Sequence, residues 1–212
     1  MASLNRRIEE LRRSTRMPII VLDAMLPRQV LRFYSEDPDV ALLEGQNITV
    51  LGGIKGLRHG TTAMVKSVGP SEWEVRGQHH VAIVGDMERE DRMTYSRVAP
   101  VVDDVQDADV EFAKLLEPLV EEWIQLVESG HERFEGQVKF VMRDMGPRPP
   151  PEEAGELAMW VAALVNPLPA LGVALEIRPR ALTAPTVSER LMVVLNGIRG
   201  SIGHLKGEKR LF

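Results

Sequence analysis

No cysteine occurs among the 212 residues, which excludes disulfides and thiolate metal sites and goes with a reducing compartment. A dominant charge is missing as well. Lysine and arginine number 26 against 31 aspartate and glutamate, a net of -5. The signs are interspersed, so no long-range attraction for nucleic acid or anionic lipid is expected. The opening MASLNRRIEELRRSTR has no apolar core of the kind a secretory signal needs, and Glu9 and Glu10 are unlike an acid-poor transit peptide. The expected setting is intracellular: the cytoplasm, or the interior of an organelle such as a plastid or mitochondrion if a targeting peptide has been removed.

Long apolar runs are broken. Leu157 to Leu175 is the longest uncharged run and by length alone would nominate a membrane span. Asn166, Pro167, Leu168 and Pro169 interrupt it, because proline removes backbone donors and pushes its neighbours out of helical geometry. Two short buried helices joined by a turn are expected, and no membrane span. A GxxxxGK[ST] loop is also absent, so Gly52, Gly53 and Gly56 in LGGIKG read as a turn at a strand end, and ATP hydrolysis is excluded.

What is present suffices for a sizeable core, since 44% of residues are hydrophobic. Residues 1–17 read as a basic helical segment, with Leu4, Ile8 and Leu11 on one face and Arg6, Arg7, Arg12 and Arg13 around it. Residues 18–105 carry short β-branched or alternating runs, at 19–22, 29–34, 48–53 and through a meander from Gly60 to Asp104. Trp73 and Val75 alternate with Glu72, Glu74 and Arg76, as a half-buried strand requires. Gly69, Pro70 and Ser71 make the turn ahead of it, and Gly77 marks a bulge or a second bend.

Residues 106–212 switch to helical periodicity. Phe112, Leu115, Leu116, Leu119, Trp123, Leu126 and Val127 recur at three- and four-residue steps opposite an acidic face. Pro118 implies either a kink or the first turn of a second helix. Gly130 closes that segment, and a further helix is predicted over 131–145, stopped by Gly146 and Pro147 to Pro151. Glu152 and Glu153 then favour a new helix start. The last helix is expected to begin after Thr186 or Pro185, with Leu191, Val194, Leu195 and Ile198 on one side.

Chemistry-bearing residues are few. On a strand, His79 and His80 point to opposite faces and cannot both chelate one ion; His59, ahead of Gly60, can approach them in the folded protein. Metal ligation is expected to need three or four converging ligands, which no carboxylate spacing supplies, so neither a metal nor another cofactor is expected. Asp103-Asp104 and Glu121-Glu122 read as solvated pairs. Ser201 and Lys206 are near in sequence, which does not establish the contact a serine nucleophile needs. No catalytic residue is assigned.

Three pieces of sequence resemble one family. Pro18 to Phe33 resembles an opening proline, an apolar strand, then leucine and proline before a second strand. Gly60-Thr61 with Ala63 and Val65 resembles a glycine-threonine strand, and Tyr95 to Val102 a tyrosine-initiated closing strand. A weaker likeness lies in Leu175-Glu176 and Glu189-Arg190-Leu191. Together these resemble the N-terminal, substrate-binding domain of Lon proteases, also found in cereblon and in stand-alone Lon-domain proteins. The chain departs from the pattern at Arg28, where many relatives have glycine, and at Gln78, His79 and His80, where a basic residue and an aromatic are usual.

The resemblance implies an α+β fold: a PUA-like twisted β-barrel followed by a helical bundle. It also implies a non-catalytic protein-binding module that recognises exposed polypeptide segments through apolar surface between barrel and helices. Met25, Leu26, Phe33, Trp73 and Trp160 are the candidate contacts. The alternative is a structural or assembly subunit of a larger complex, docking through the basic N-terminal helix or the PRPPP segment at 147–151.

Overall fold

The computed structural model describes residues 9, 11–52, 58–165 and 174–208. The chain divides into two compact units, Met1–Val102 and Asp103–Phe212. The expected α+β architecture is present, a closed five-stranded barrel with a helical C-terminal part.

The first unit contains β1 (Thr15–Leu22), β2 (Val30–Tyr34), the short α1 (Pro38–Ala41), β3 (Asn47–Gly52), β4 (His59–Gly69), β5 (Glu72–Ile83), β6 (Glu88–Glu90) and β7 (Met93–Pro100). The seven strands run in the order β2-β5-β4-β3-β1-β7-β6, and an extra β5–β7 pairing closes β5, β4, β3, β1 and β7 into a ring. Closure leaves β2 and β6 as flaps outside it. β1 and β3 are parallel, joined by the chain through β2 and α1, while the other pairings are antiparallel.

Strand alternation builds the barrel core. In β5, Trp73 and Val75 are buried ahead of an irregularity in the β4–β5 register, and Val81 and Ile83 after it; the extra residue there reverses the alternation, so the two pairs face opposite sides of the strand. Trp73 and Val75 pack with Met25, Ile48, Val50 and Val65, whereas Val81 and Ile83 pack with Ile19, Leu51 and Val98. Burying each such side chain contributes about 1.5–3 kcal/mol.

Gly77 is not itself the bulge. The β4–β5 register steps from Thr61↔His80 to Ala63↔Gly77, so Gln78 and His79 together oppose Thr62. Thr62 Oγ1 accepts the His79 N–H at 3.1 Å, replacing a lost ladder bond. Gly77 is small because its backbone meets the 26–29 segment: a Cβ there would lie 2.5 Å from the Leu26 carbonyl oxygen. Arg28 N–H donates to Gly77 O at 3.0 Å and Gly77 N–H to Gln29 O at 2.8 Å. Arg28 itself has φ of 68°, a left-handed backbone that glycine adopts without cost.

The second unit comprises α2 (Asp107–Ala113), α3 (Leu116–Glu128), α4 (Gln137–Met145), a 3₁₀ turn at Pro151–Glu153, α5 (Ala154–Val165), α6 (Ala174–Thr183) and α7 (Val187–Leu205). Pro118 falls in the first turn of α3, so the helical run restarts rather than kinks. The helix expected over 131–145 begins only at Gln137. Gly136, with φ of 80°, precedes it, and the Glu132 carboxylate accepts the Gly136 and Val138 N–H groups at 2.9 and 2.8 Å. Those contacts divert residues 131–136 into a capping loop.

α7 starts where Thr186 Oγ1 accepts the Glu189 N–H at 3.2 Å. Leu191, Val194, Leu195 and Ile198 are all buried along it. α5 is buried at every residue except Glu156 in its first turn, as expected for a helix enclosed by neighbours over most of its length. The turn expected at 166–169 lies outside the described residues, as do Leu4, Ile8, Arg6, Arg7, Gly53 and Gly56. Among the described residues no helix is long and apolar enough to cross a membrane.

Candidate functional site

The two open edges of the barrel sheet differ in chemistry. β6, at one end, has the sequence ERE, is only three residues long and is wholly exposed. Arg16 forms ion pairs with Glu88 and Glu90 and stacks over the Tyr95 ring, 4.4 Å from its centroid. Short, charged edges of this kind resist pairing with other chains.

β2, at the other end, has the sequence VLRFY and among the described residues pairs only with β5. Phe33 is opposite Trp73 and Tyr34 opposite Glu72. Because successive side chains alternate, Phe33 lies on the face of Leu31, Trp73 and Val75, and Tyr34 on the face of Arg32, Glu74 and Arg76. Phe33 is 38% exposed and Tyr34 66%. The edge therefore presents an aromatic ring on each face.

Its backbone is held in strand geometry from the β5 side. Ser35 N–H donates to Ser71 O at 2.9 Å, so the antiparallel alternation directs Leu31, Phe33 and Ser35 towards β5 and the main chain of Val30 and Tyr34 outward. Trp73 Nε1–H donates to Ser35 O at 3.1 Å, and Glu74 bridges Arg32 at 2.9 Å and Arg76 at 3.1 Å. Tyr34 donates its hydroxyl proton to Glu36 at 2.6 Å. A strand edge with fixed backbone and apolar anchors can add an extended peptide as a further strand.

The five residues singled out from sequence do not form one exposed surface. Met25, Leu26 and Trp73 are interior to the barrel unit, and Trp160 is interior to the helical unit, donating Nε1–H to Gly146 O at 3.3 Å. Phe33 alone of the five is exposed. Tyr34 was not singled out, because a tyrosine in an alternating run gives no sign that its strand ends the sheet.

Other candidates have structural partners. Asp103 accepts from Arg190 at 2.5 Å and Asp104 from Gln106 at 2.9 Å. Glu121 pairs with Arg148 at 2.8 Å and Glu122 with Lys206 at 2.5 Å. Ser201 Oγ is buried and accepts the Trp123 indole N–H at 2.8 Å. The hydrogen bond from Lys206 to Glu122, followed by the charge of that carboxylate, raises the lysine above its ordinary value, the opposite of what a base activating a serine requires. In the PRPPP segment Pro149 is buried, which together with the Arg148 ion pair pins the segment to the helical unit. His59 and His80 do approach, with Nδ1 and Nε2 3.2 Å apart, while His79 is exposed. Among the described residues no three His, Asp or Glu side chains converge as a metal site.

Neither a protein-family model nor a curated protein matches the chain. Solved structures do. The N-terminal domain of a Mycobacterium avium complex Lon protease is 15% identical with a TM-score of 0.64, covering 87% of this chain and 98% of that one. The Lon N-terminal domain protein from Xanthomonas campestris is 17% identical with a TM-score of 0.50, covering 86% and 98%. At these identities the shared property is the fold, that of Lon N-terminal domains, across most of the chain.

Proposed function

We propose that this Lon N-terminal-type fold is a non-catalytic protein-binding module that takes exposed, extended polypeptide segments at the free edge of β2. The observation that carries the reading is the contrast of edges: β6 is short and charged, while β2 leaves Phe33 and Tyr34 exposed on either side of an open main chain. The fold likeness supports protein binding in general. Of the residues named from sequence, Phe33 is the direct contact, while Met25, Leu26 and Trp73 shape the barrel behind it. Trp160 shapes the helical unit.

The test is fluorescence anisotropy of a labelled, permanently unfolded polypeptide titrated with the full chain. Phe33→Lys places on β2 the kind of charge that guards β6, and should weaken binding about tenfold, the loss of one well-placed anchor. Arg89→Ala on β6 should leave binding unchanged. Equal binding by wild type and Phe33→Lys, with equal melting temperatures, would sink the proposal. Fixed-stoichiometry co-purification with a few folded partners, and no binding of the unfolded probe, would favour the structural-subunit reading instead.

A further inference from the structure

We propose that the β2 edge selects among extended segments, and that it takes one class of sequence: a cation, then two apolar residues separated by a polar one, added antiparallel to β2. This rests on the reading of β2 as the peptide edge and names the segment that edge fits. Antiparallel addition is the more stable pairing per residue. The outward main chain of Val30 and Tyr34 supplies its hydrogen bonds.

An antiparallel strand on β2 runs from Tyr34 towards Val30. Its first residue lies opposite Tyr34, its second opposite Phe33, its third opposite Arg32 and its fourth opposite Leu31. Directly opposed residues share a face, so the second and fourth meet Phe33 and Leu31. Phe33 is 38% exposed, and Leu31 is packed against the barrel core that holds Trp73 and Val75. Both incoming residues must therefore be apolar. A segment whose apolar residues recur at three- or four-residue steps, as in an amphipathic helix, places only one of them there.

The other face changes sign along the strand. At its Tyr34 end the ring is 66% exposed, its hydroxyl donates to Glu36 at 2.6 Å, and the exposed Glu72 lies directly across on β5. An exposed aromatic ring beside two carboxylates attracts a cation through the ring face and through their charge. Two residues earlier the edge side chain is Arg32, with Arg76 also on Glu74. A peptide cation opposite Arg32 meets like charge, which destabilises a strand pair. The two places are about 7 Å apart along the strand, comparable with the screening length of about 8 Å at physiological salt. The edge therefore distinguishes a cation in the first position from one in the third.

The test is competition, on the full chain, between the labelled unfolded polypeptide and three peptides of one composition, each flanked by Gly-Ser: Lys-Val-Ser-Val, Ser-Val-Lys-Val and Lys-Ser-Val-Val. The first should compete about fivefold better than the second and about tenfold better than the third. In about 1 M salt, where the screening length falls to about 3 Å, the first preference should vanish and the second persist. Glu72→Lys, at an exposed position, should likewise remove the first preference and keep the second. Peptides that compete equally or not at all, while the polypeptide binds wild type and not Phe33→Lys, would overturn this inference and leave the β2 reading standing. Failure of the polypeptide itself to bind overturns both. Self-association of wild type that Phe33→Lys abolishes and no peptide displaces would give the edge to a second copy of the chain, against the proposal.

Discussion

The barrel unit and the helical unit bury polar groups of different kinds. Among the described residues, the barrel buries Gln29, Thr49, Thr61, Thr62 and Ser96, all neutral; the helical unit buries Asp109, Arg178 and Arg190 besides Gln137 and Ser201. The difference follows from what each backbone leaves over. Bulges and turns of a barrel leave backbone groups that a hydroxyl or amide can satisfy. Thr61 Oγ1 donates to Met25 O at 2.6 Å, Ser96 Oγ to Asp86 O at 2.9 Å, and Gln29 Oε1 accepts the Leu26 N–H at 2.8 Å. A helix satisfies its own interior backbone, so polar side chains buried between helices turn to one another or to helix ends. Asp109 accepts from Ser188 and from the Gln106 N–H, and Arg190 joins Asp103 to the Ala181 carbonyl. Charge therefore fixes the packing of the helical unit, while the barrel keeps charge on its rim and edge.

Arg190→Met should give the largest effect. Arg190 is 2% exposed, and its loss leaves the Asp103 carboxylate without its cation, at a cost of about 3 kcal/mol. Urea unfolding measures this; a loss below about 1 kcal/mol would show that the pair does not hold the unit together. Gly155→Ala comes next. Its methyl would overlap the Asp103 carboxylate and lie 3.0 Å from Arg190 Nη1, costing about 2–3 kcal/mol. Because the obstacle is a side chain, the cost should shrink in an Asp103→Ala background, and strict additivity in that double-mutant cycle would refute the assignment.

Gly77→Ala is the barrel counterpart. Its methyl meets the Leu26 carbonyl at 2.5 Å, an obstacle of backbone, and should cost about 1–3 kcal/mol. No side-chain truncation relieves it, so rescue by Met25→Ala would contradict the backbone account.

The smallest effect is a pH dependence at Glu132. Hydrogen bonds from the Val138 and then the Gly136 N–H lower this carboxyl below its ordinary value of 4.5. A group with a depressed folded-state value contributes stability that is full above the unfolded value and lost as pH falls through the folded one. Glu132→Gln should therefore melt below wild type at neutral pH and converge with it as pH drops under 4.5. A gap that persists in acid would mean that geometry, not charge, makes the cap.

Local patterns were legible wherever one residue's surroundings follow from its neighbours in sequence. The alternation about Trp73 located a strand, Thr186 a helix start, and Leu191 to Ile198 a buried face. The helix expected at 131 fails because Glu132 reaches forward to the Gly136 and Val138 backbone, a competition that periodicity does not register. The contact candidates show the same limit. Met25, Leu26, Trp73 and Trp160 have the composition of a binding surface and also of a core, and only packing places them inside. Phe33 and Leu31 share a strand face, yet Phe33 lies where that face runs out to solvent.

By itself the sequence determined the kinds of element, the handover from strands to helices after the meander, and the absence of cysteine chemistry, because each depends on residue type and short-range spacing. Tertiary structure decided which strands became edges. β2 is open because ring closure joins β5 to β7 and leaves it outside, a long-range pairing that nothing within VLRFY encodes. It also decided that His59 meets His80, since that encounter depends on the β4–β5 register and on one extra residue in β5.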